Sequence, residues 1–423
     1  MYNISDFGAV ADGKTLNTEF IQKAIDVCYE NGGGRVTVPA GVFVTGTIYL
    51  KSNVELHISH NAVLKASDNL DDYNETNEYP ENQEICVGEE WVGKHLIIAR
   101  KCENVAIIGT GTIDGAGDTY FCSPKPHNRY IWRDGLALAK DKEKLRPGQL
   151  ICFILSNQIT VSDITIRNMP CWGCFFHGCN VVSVKGLKVF NLSYAANTDG
   201  IDIDCCKYVT ISDCIIDTGD DAIAIRCDSK RLGVEAQACE FIAVSNCVLG
   251  SSSSVFRIGV GVGEIRHIRI SDIVITRGGA GATIQTSFNG NGAADISDIN
   301  ISNVSAVNVS FPFEIYSEVG SIRHLTLQNM RFEAIAAAKV FCNHDESMEN
   351  VLLKEIDIFI KPETTELTDE NIERRGRSML NLSNVKGARL NNVRIFSQDS
   401  TTWRDKAEIV GCDDISIENC LIE

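Results

Sequence analysis

From residue 158 to the C-terminus, apolar and polar positions alternate with a period of two over short stretches, and the stretches recur. "QITVSDITI", "VVSVKGLKV", "YVTISDCII", "FIAVSNCVL", "HIRISDIVI", "DINISNVSA", "HLTLQNMRF", "NVLLKEIDI", "GARLNNVRI" and "DISIENCLI" share one pattern. Aligned on their second residue they begin at Ile159, Val182, Val209, Ile242, Ile268, Ile299, Leu325, Val351, Ala388 and Ile415, with steps of 23 to 37 residues. Alternation of this kind puts every second side chain on one face, as in a strand. One column holds Asp163, Gly186, Asp213, Asn246, Asp272, Asn303, Asn329, Glu355, Asn392 and Asn419. Asn, Asp and Gly tolerate left-handed backbone, so this column predicts a repeated bend. The next column holds Ile164, Leu187, Cys214, Cys247, Ile273, Val304, Met330, Ile356, Val393 and Cys420, an inward apolar stack. One such unit cannot bury its apolar side alone, whereas stacked units share a core. The pattern predicts an all-β chain, a parallel β-helix.

One stretch has the other period. "TEFIQKAIDVCYENGGG" sets Phe20, Ile21, Ala24, Ile25 and Cys28 on one helical face, with Asn17 or Thr18 to cap it and Gly32 to Gly34 to end it. This predicts a short α-helix that plugs the open end of the solenoid, inside an N-terminal cap of about residues 1–50. The charged stretch at 361–378 reads as a loop insertion, and residues 1–423 as one domain.

Composition narrows the partners. The formal net charge is −17 and Lys/Arg runs are absent, which disfavours nucleic acid and anionic membranes. No apolar run reaches the roughly 18 residues of a membrane span. "MYNISDFGAVADG" lacks the basic and apolar regions of a signal peptide, so a cytoplasmic location is expected. The 17 cysteines then read as reduced thiols, and those in the apolar column as small core side chains. "CWGC" at Cys171 to Cys174 has no second pair, so neither a metal nor a cofactor is expected. The pattern fixes no oligomeric state.

The chemistry concentrates in "NTDGIDID" and "GDDAIAIRCD". Asp199 and Asp221 are 22 positions apart, each four residues before a matching isoleucine, Ile203 and Ile225. That is one short coil, and equivalent positions on stacked coils lie about 4.8 Å apart. Asp220 stands beside them. A single Asp here would read as a turn cap. Two registered acidic clusters on successive coils read as function, because stacked like charges destabilise a sheet. Glycoside hydrolysis uses such crowding: one carboxyl keeps a proton for the leaving oxygen while another, ionised, activates water or attacks the sugar.

Further stretches carry a family likeness: "YNISDFGAVADG", "GGGRVTVPAGVFVTGTIYLKSNVEL", "GTGTIDGAG", "RPGQLI" at Arg146, "NMPCW", "NTDG" and "GDD". Over nearly its whole length the chain resembles the polygalacturonase-type glycoside hydrolases, family 28. The resemblance implies a right-handed parallel β-helix and a carbohydrate substrate. It also implies Asp220 as general acid, Asp199 and Asp221 as the pair that holds and activates water with inversion, and Asn197 as the residue that orients the site. Two family motifs are replaced. Ser254, in "SSSSVFRIG", stands where Gly-His-Gly has its histidine, and "ATIQTS" puts Thr283 and Gln285 in place of the two cations of Arg-Ile-Lys. Losing those cations removes charge-assisted contacts to a uronate. The expected substrate is a small oligosaccharide or glycoside with a neutral or unusual sugar at the site.

Two outward columns fill the rest of the groove: Asp202, Ala224, Arg257, Thr283 and Glu314, then Asp204, Arg226, Gly259, Gln285 and Tyr316. Arg226 and Arg257 read either as ligands for a substrate carboxylate, which would make an exo-galacturonidase, or as ion-pair partners of the acids. Glu314 and Tyr316 read as hydrogen-bonders to sugar. Trp172 reads as a sugar platform or as core, and His177 is given no role. A glycosyl-transferring enzyme and a non-catalytic carbohydrate-binding β-helix are the remaining alternatives.

Overall fold

Each alternating stretch forms a strand, turns at its Asp/Asn/Gly column, and continues as a second strand: Asn157–Ser162 runs into Asp163 and then into Thr165–Arg167. All ten residues of the expected bend column have left-handed φ, between 51° and 63°. Their side chains form a ladder outside the turn, with Asn246 Nδ2 donating to Asp213 Oδ1 at 2.6 Å and Asn329 Nδ2 to Asn303 Oδ1 at 2.8 Å. A computed structural model describes residues 1–82, 85–86, 90–121, 145–232, 237–288, 292–343, 347–361, 378–398, 403 and 405–423. The charged insertion expected at 361–378 lies almost wholly outside the described residues.

The architecture is a right-handed parallel β-helix. The repeat register holds residue for residue: Ile159, Val182, Val209, Ile242, Ile268, Ile299, Leu325 and Val351 pair in succession along one parallel ladder. One apolar core runs through the coils from Ile4 to Trp403. The expected inward column is buried within it, except that Cys420, in the last coil, is only half-buried.

A second bend was not foreseen. Gln158, Val181, Tyr208, Phe241, His267, Asp298, His324 and Asn350 immediately precede the aligned column and also have left-handed φ, 54° to 58°. Tyr208, Phe241 and His267 stack there with centroids 5.3 and 5.1 Å apart.

The helix Thr18–Glu30 sits over the first coils and buries Ile21, Ala24, Ile25 and Cys28. Phe20 is half-buried instead, its ring against Gly8. The capping expectation is corrected. Asn17 precedes the helix without a side-chain cap, because its amide ties Val10 N, Thr15 O and Val44 O together. Thr18 is the first helical residue, and its hydroxyl accepts from Gly46 N. At the opposite end the strands Asp405–Val410, Ser416–Glu418 and Leu421–Ile422 pair on one side only among the described residues, and Ile409 and Ile417 are exposed.

Candidate active site

The site lies on the outer face of one ladder, built from Ile97–Arg100, Ile151–Ile154, Cys174–His177, Ile201–Asp204 and Ile223–Asp228. Ile201 pairs with Ile223, so the turn residues Asp199 and Asp221 are stacked neighbours, and Gly200 N donates to Asp221 O at 2.9 Å. Oxygens of Asp199, Asp220 and Asp221 all lie within 4.8 Å of one another. The three expected acids do meet. That spacing also suits one cation geometrically, yet Arg257 already supplies positive charge at Asp221.

Local chain chemistry aims each acid. Gly219 precedes the pair where a Cβ would meet Ala195 O at 2.2 Å, so only glycine allows the turn to pack this closely. Asp220 Oδ2 accepts from Asn197 N at 3.0 Å and Oδ1 from Asp221 N at 3.1 Å. Asn197 itself is left-handed, φ 52°, which turns its N–H toward Asp220. Behind Asn197 stands Arg146, whose Nη2 donates to Asn197 Oδ1 at 2.7 Å. The hydroxyls of Thr218 and Ser251 both donate to Asp220 O at 2.7 Å. Arg146 was named from sequence only as the start of "RPGQLI", without a role, and Thr218 and Ser251 were not singled out. The "RPGQLI" stretch was the available signal for the first, and "SSSS" for the last.

The acids differ electrically. Burial, and then the charges of Asp202, Asp220 and Asp221, push Asp199 well above the usual carboxylate range. Burial acts on Asp221 too, but the charge and hydrogen bond of Arg257, with Ser254 N, outweigh it and hold that carboxyl below the ordinary value. Arg257 Nε donates to Asp221 Oδ2 at 2.9 Å and Ser254 N to Oδ1 at 2.9 Å. Two neighbouring carboxyls are thus shifted in opposite directions, the kind of division that acid–base chemistry uses.

The two outward columns are placed as expected with one correction. A register shift after Ile225 pairs Cys227 with Gly261, so Gly259 does not sit beside Arg226 in the ladder. Asp202 is fully buried, and neither of its oxygens has a hydrogen-bond partner among the described residues. Burial raises its pKa well above the ordinary range despite Arg226, whose Nη1 is 3.9 Å from Oδ1. The guanidinium of Arg226 lies 4.6 Å above the ring of Trp172 and 3.8 Å from Asp204 Oδ2. Ser254, Thr283 and Gln285 are buried, the two hydroxyls 2.8 Å apart. Glu314 faces Lys339 at 3.9 Å, and Tyr316 Oη donates to Gln285.

Toward the N-terminal coils the floor is walled off. Its outward residues there, Ile98, Cys152, Ile154 and Phe175, are buried under Tyr79, Trp91 and Trp172. Trp172 is therefore a wall residue, and "CWGC" is split, with Cys171 in this outer cluster and Cys174 in the inner core. Toward the C-terminal coils the floor residues Glu314, Tyr316, Lys339, Phe341, Asn381 and Ser383 stay partly exposed.

The sequence model of glycosyl hydrolases family 28 matches residues 28–390 of this chain. The chain belongs to that family. A probable polygalacturonase of Vitis vinifera is 27% identical over 75% of this chain and 63% of its own length. An exo-poly-alpha-D-galacturonosidase of Dickeya chrysanthemi is 32% identical over 52% of this chain and 41% of its own. The family 28 chain described here thus spans less than two thirds of those relatives. Among solved structures, the family 28 exopolygalacturonase of Yersinia enterocolitica superposes with a TM-score of 0.67 at 19% identity, over 99% of this chain and 78% of that one. A Thermotoga maritima exopolygalacturonase gives 0.60 at 20% identity, over 97% and 91%. At such identity these two likenesses speak for the fold.

Proposed function

We propose that this family 28 site hydrolyses the terminal O-glycosidic bond of a short saccharide whose reacting sugar carries no carboxylate. The observation that carries the chemistry is the trio itself: three carboxyls within 4.8 Å, with Asp199 pushed up and Asp221 held down. Asp220, the most exposed of the three, donates a proton to the leaving oxygen. Asp221, kept ionised, activates the water, and Asp199, neutral, donates a hydrogen bond to it. Inversion at the anomeric carbon follows if water attacks directly. The close approach of the carboxyls supports a second reading, retention through a covalent glycosyl-enzyme, since retaining pairs stand only about 5–5.5 Å apart.

Terminal cleavage is supported by the aromatic cluster of Tyr79, Trp91 and Trp172, which covers the floor on the N-terminal side of Arg226. The Dickeya chrysanthemi exo-poly-alpha-D-galacturonosidase, a relative over half of this chain, agrees with it. A neutral sugar is supported by the occupation of both arginines: Arg257 is bound to Asp221, and Arg226 is held between Trp172, Asp202 and Asp204.

The test is a screen of neutral aryl glycosides and short oligosaccharides beside di- and trigalacturonate, with product anomers followed by NMR. Turnover of a neutral glycoside, reduced about 10²–10⁴-fold in Asp220→Asn, is expected. Release of galacturonate from the uronate oligomers, with no neutral substrate turned over, would overturn the sugar assignment.

A further inference from the structure

Arg257 stands on the strand Ser254–Gln285, one coil beyond Asp221, and its guanidinium reaches in two directions. Toward the acids, Nε donates to Asp221 Oδ2 at 2.9 Å and Nη2 lies 3.5 Å from Oδ1. Away from them, Nη1 donates to Gln285 Oε1 at 3.1 Å. Tyr316 Oη, from the strand Ala294–Ser317, donates to the same oxygen. Two donors converging on one amide oxygen fix the orientation of that amide. Gln285 consequently offers Arg257 an acceptor and braces it from the next coil. The Arg257 side chain is 9% exposed and the Phe288 ring lies 6.0 Å from its guanidinium, so the ion pair is largely shielded from water.

We propose that Arg257, anchored through Gln285 to Tyr316, is a positioning residue that holds Asp221 for water activation and makes no contact with substrate. The proposal rests on the hydrolytic reading above and adds a residue chain to it. Four coils are linked in series, from the acid to a half-exposed tyrosine in the open part of the groove.

The charges around this pair set its response to pH. Asp199 and Asp220 face Asp221 from the turns, Asp202, Asp204 and Arg226 from the two neighbouring strands, and Glu314 with Lys339 from beyond Gln285. With Arg257 neutralised, Asp221 keeps the nearby carboxyls of Asp199, Asp202 and Asp220 and loses its bonded cation. Its proton affinity then rises.

The experiment uses the full chain labelled with 13Cγ-aspartate, with the Asp221 signal assigned by its absence in Asp221→Asn. Arg257→Gln is expected to raise the Asp221 titration midpoint by about one pH unit or more. Tyr316→Phe should shift it in the same direction by less, and Arg257→Lys should restore part of the wild-type value. On any substrate turned over, the acid limb of kcat/KM should move by the same amount, with kcat falling and KM within about twofold. An unchanged Asp221 midpoint in Arg257→Gln, or a variant whose KM alone rises, would overturn the proposal. Should Arg257→Gln not fold, an unchanged midpoint in Tyr316→Phe does so equally. The titration needs no substrate, so failure of the hydrolytic reading leaves it decisive.

Discussion

Asp199 and Asp221 occupy equivalent turns of successive coils and are shifted in opposite directions, which gives each a distinct thermodynamic signature. Asp199 has a folded-state pKa raised above its unfolded value. Its contribution to stability is most favourable at low pH and worsens as pH rises from the unfolded value toward the folded one. Asp199→Asn, which mimics the neutral acid, is therefore expected to raise Tm at pH 7, with the gain vanishing below about pH 4. Asp221 has the opposite sign: its stabilisation is present above the unfolded pKa and is lost as pH falls through the lowered folded value. Asp221→Asn leaves Arg257 buried without its counter-charge and should cost about 3–5 kcal/mol in denaturant titrations at neutral pH. The meeting of these two acids was legible from a spacing of 22 residues because solenoid geometry turns sequence distance into contact. The partner chosen by Arg257 was not legible. Its column fixed the groove, but a bound acid and a substrate anion lie within reach of the same side chain. Arg146 was hidden for another reason: it comes from a segment outside the repeat, where period carries no positional information.

At the scale of the bend and the strand, legibility followed residue type. The column from Asp163 to Asn419 announced its left-handed turn through Asp, Asn and Gly, and every member adopts it. The preceding column does the same with Val181, Tyr208 and Phe241, residues that disfavour that conformation. There the stacked register imposes the geometry, and propensity is overridden by the continuous ladder and by ring stacking. Val181 is β-branched, exposed and outside the stack of Tyr208, Phe241 and His267, so it carries the strain with little return. Val181→Asn should raise unfolding stability by about 1 kcal/mol, measured by denaturant titration, since Asn accepts the left-handed region at lower cost. A decrease would show that Val181 contributes through packing that its exposure conceals.

The whole solenoid is closed unequally at its two ends. The helix Thr18–Glu30 covers the first coils, whereas among the described residues the strands of the last coil pair on one side only and Ile409 and Ile417 are exposed. In a stack whose coils contact only their neighbours, protection should be graded along the axis. Amide exchange in Asp405–Val410 is expected to be much faster than in Cys174–His177, and equal protection would point to a covering partner. The site sits far from that soft end, in coils packed on both sides. The wall of Trp91 and Trp172 then has a consequence for a polymer rather than for a bond. On the proposed terminal cleavage, such a site would count chain ends: doubling the number of molecules at fixed mass would double its targets, while doubling their length would add none. That reading would place it downstream of enzymes that cut in the middle, where material arrives already short.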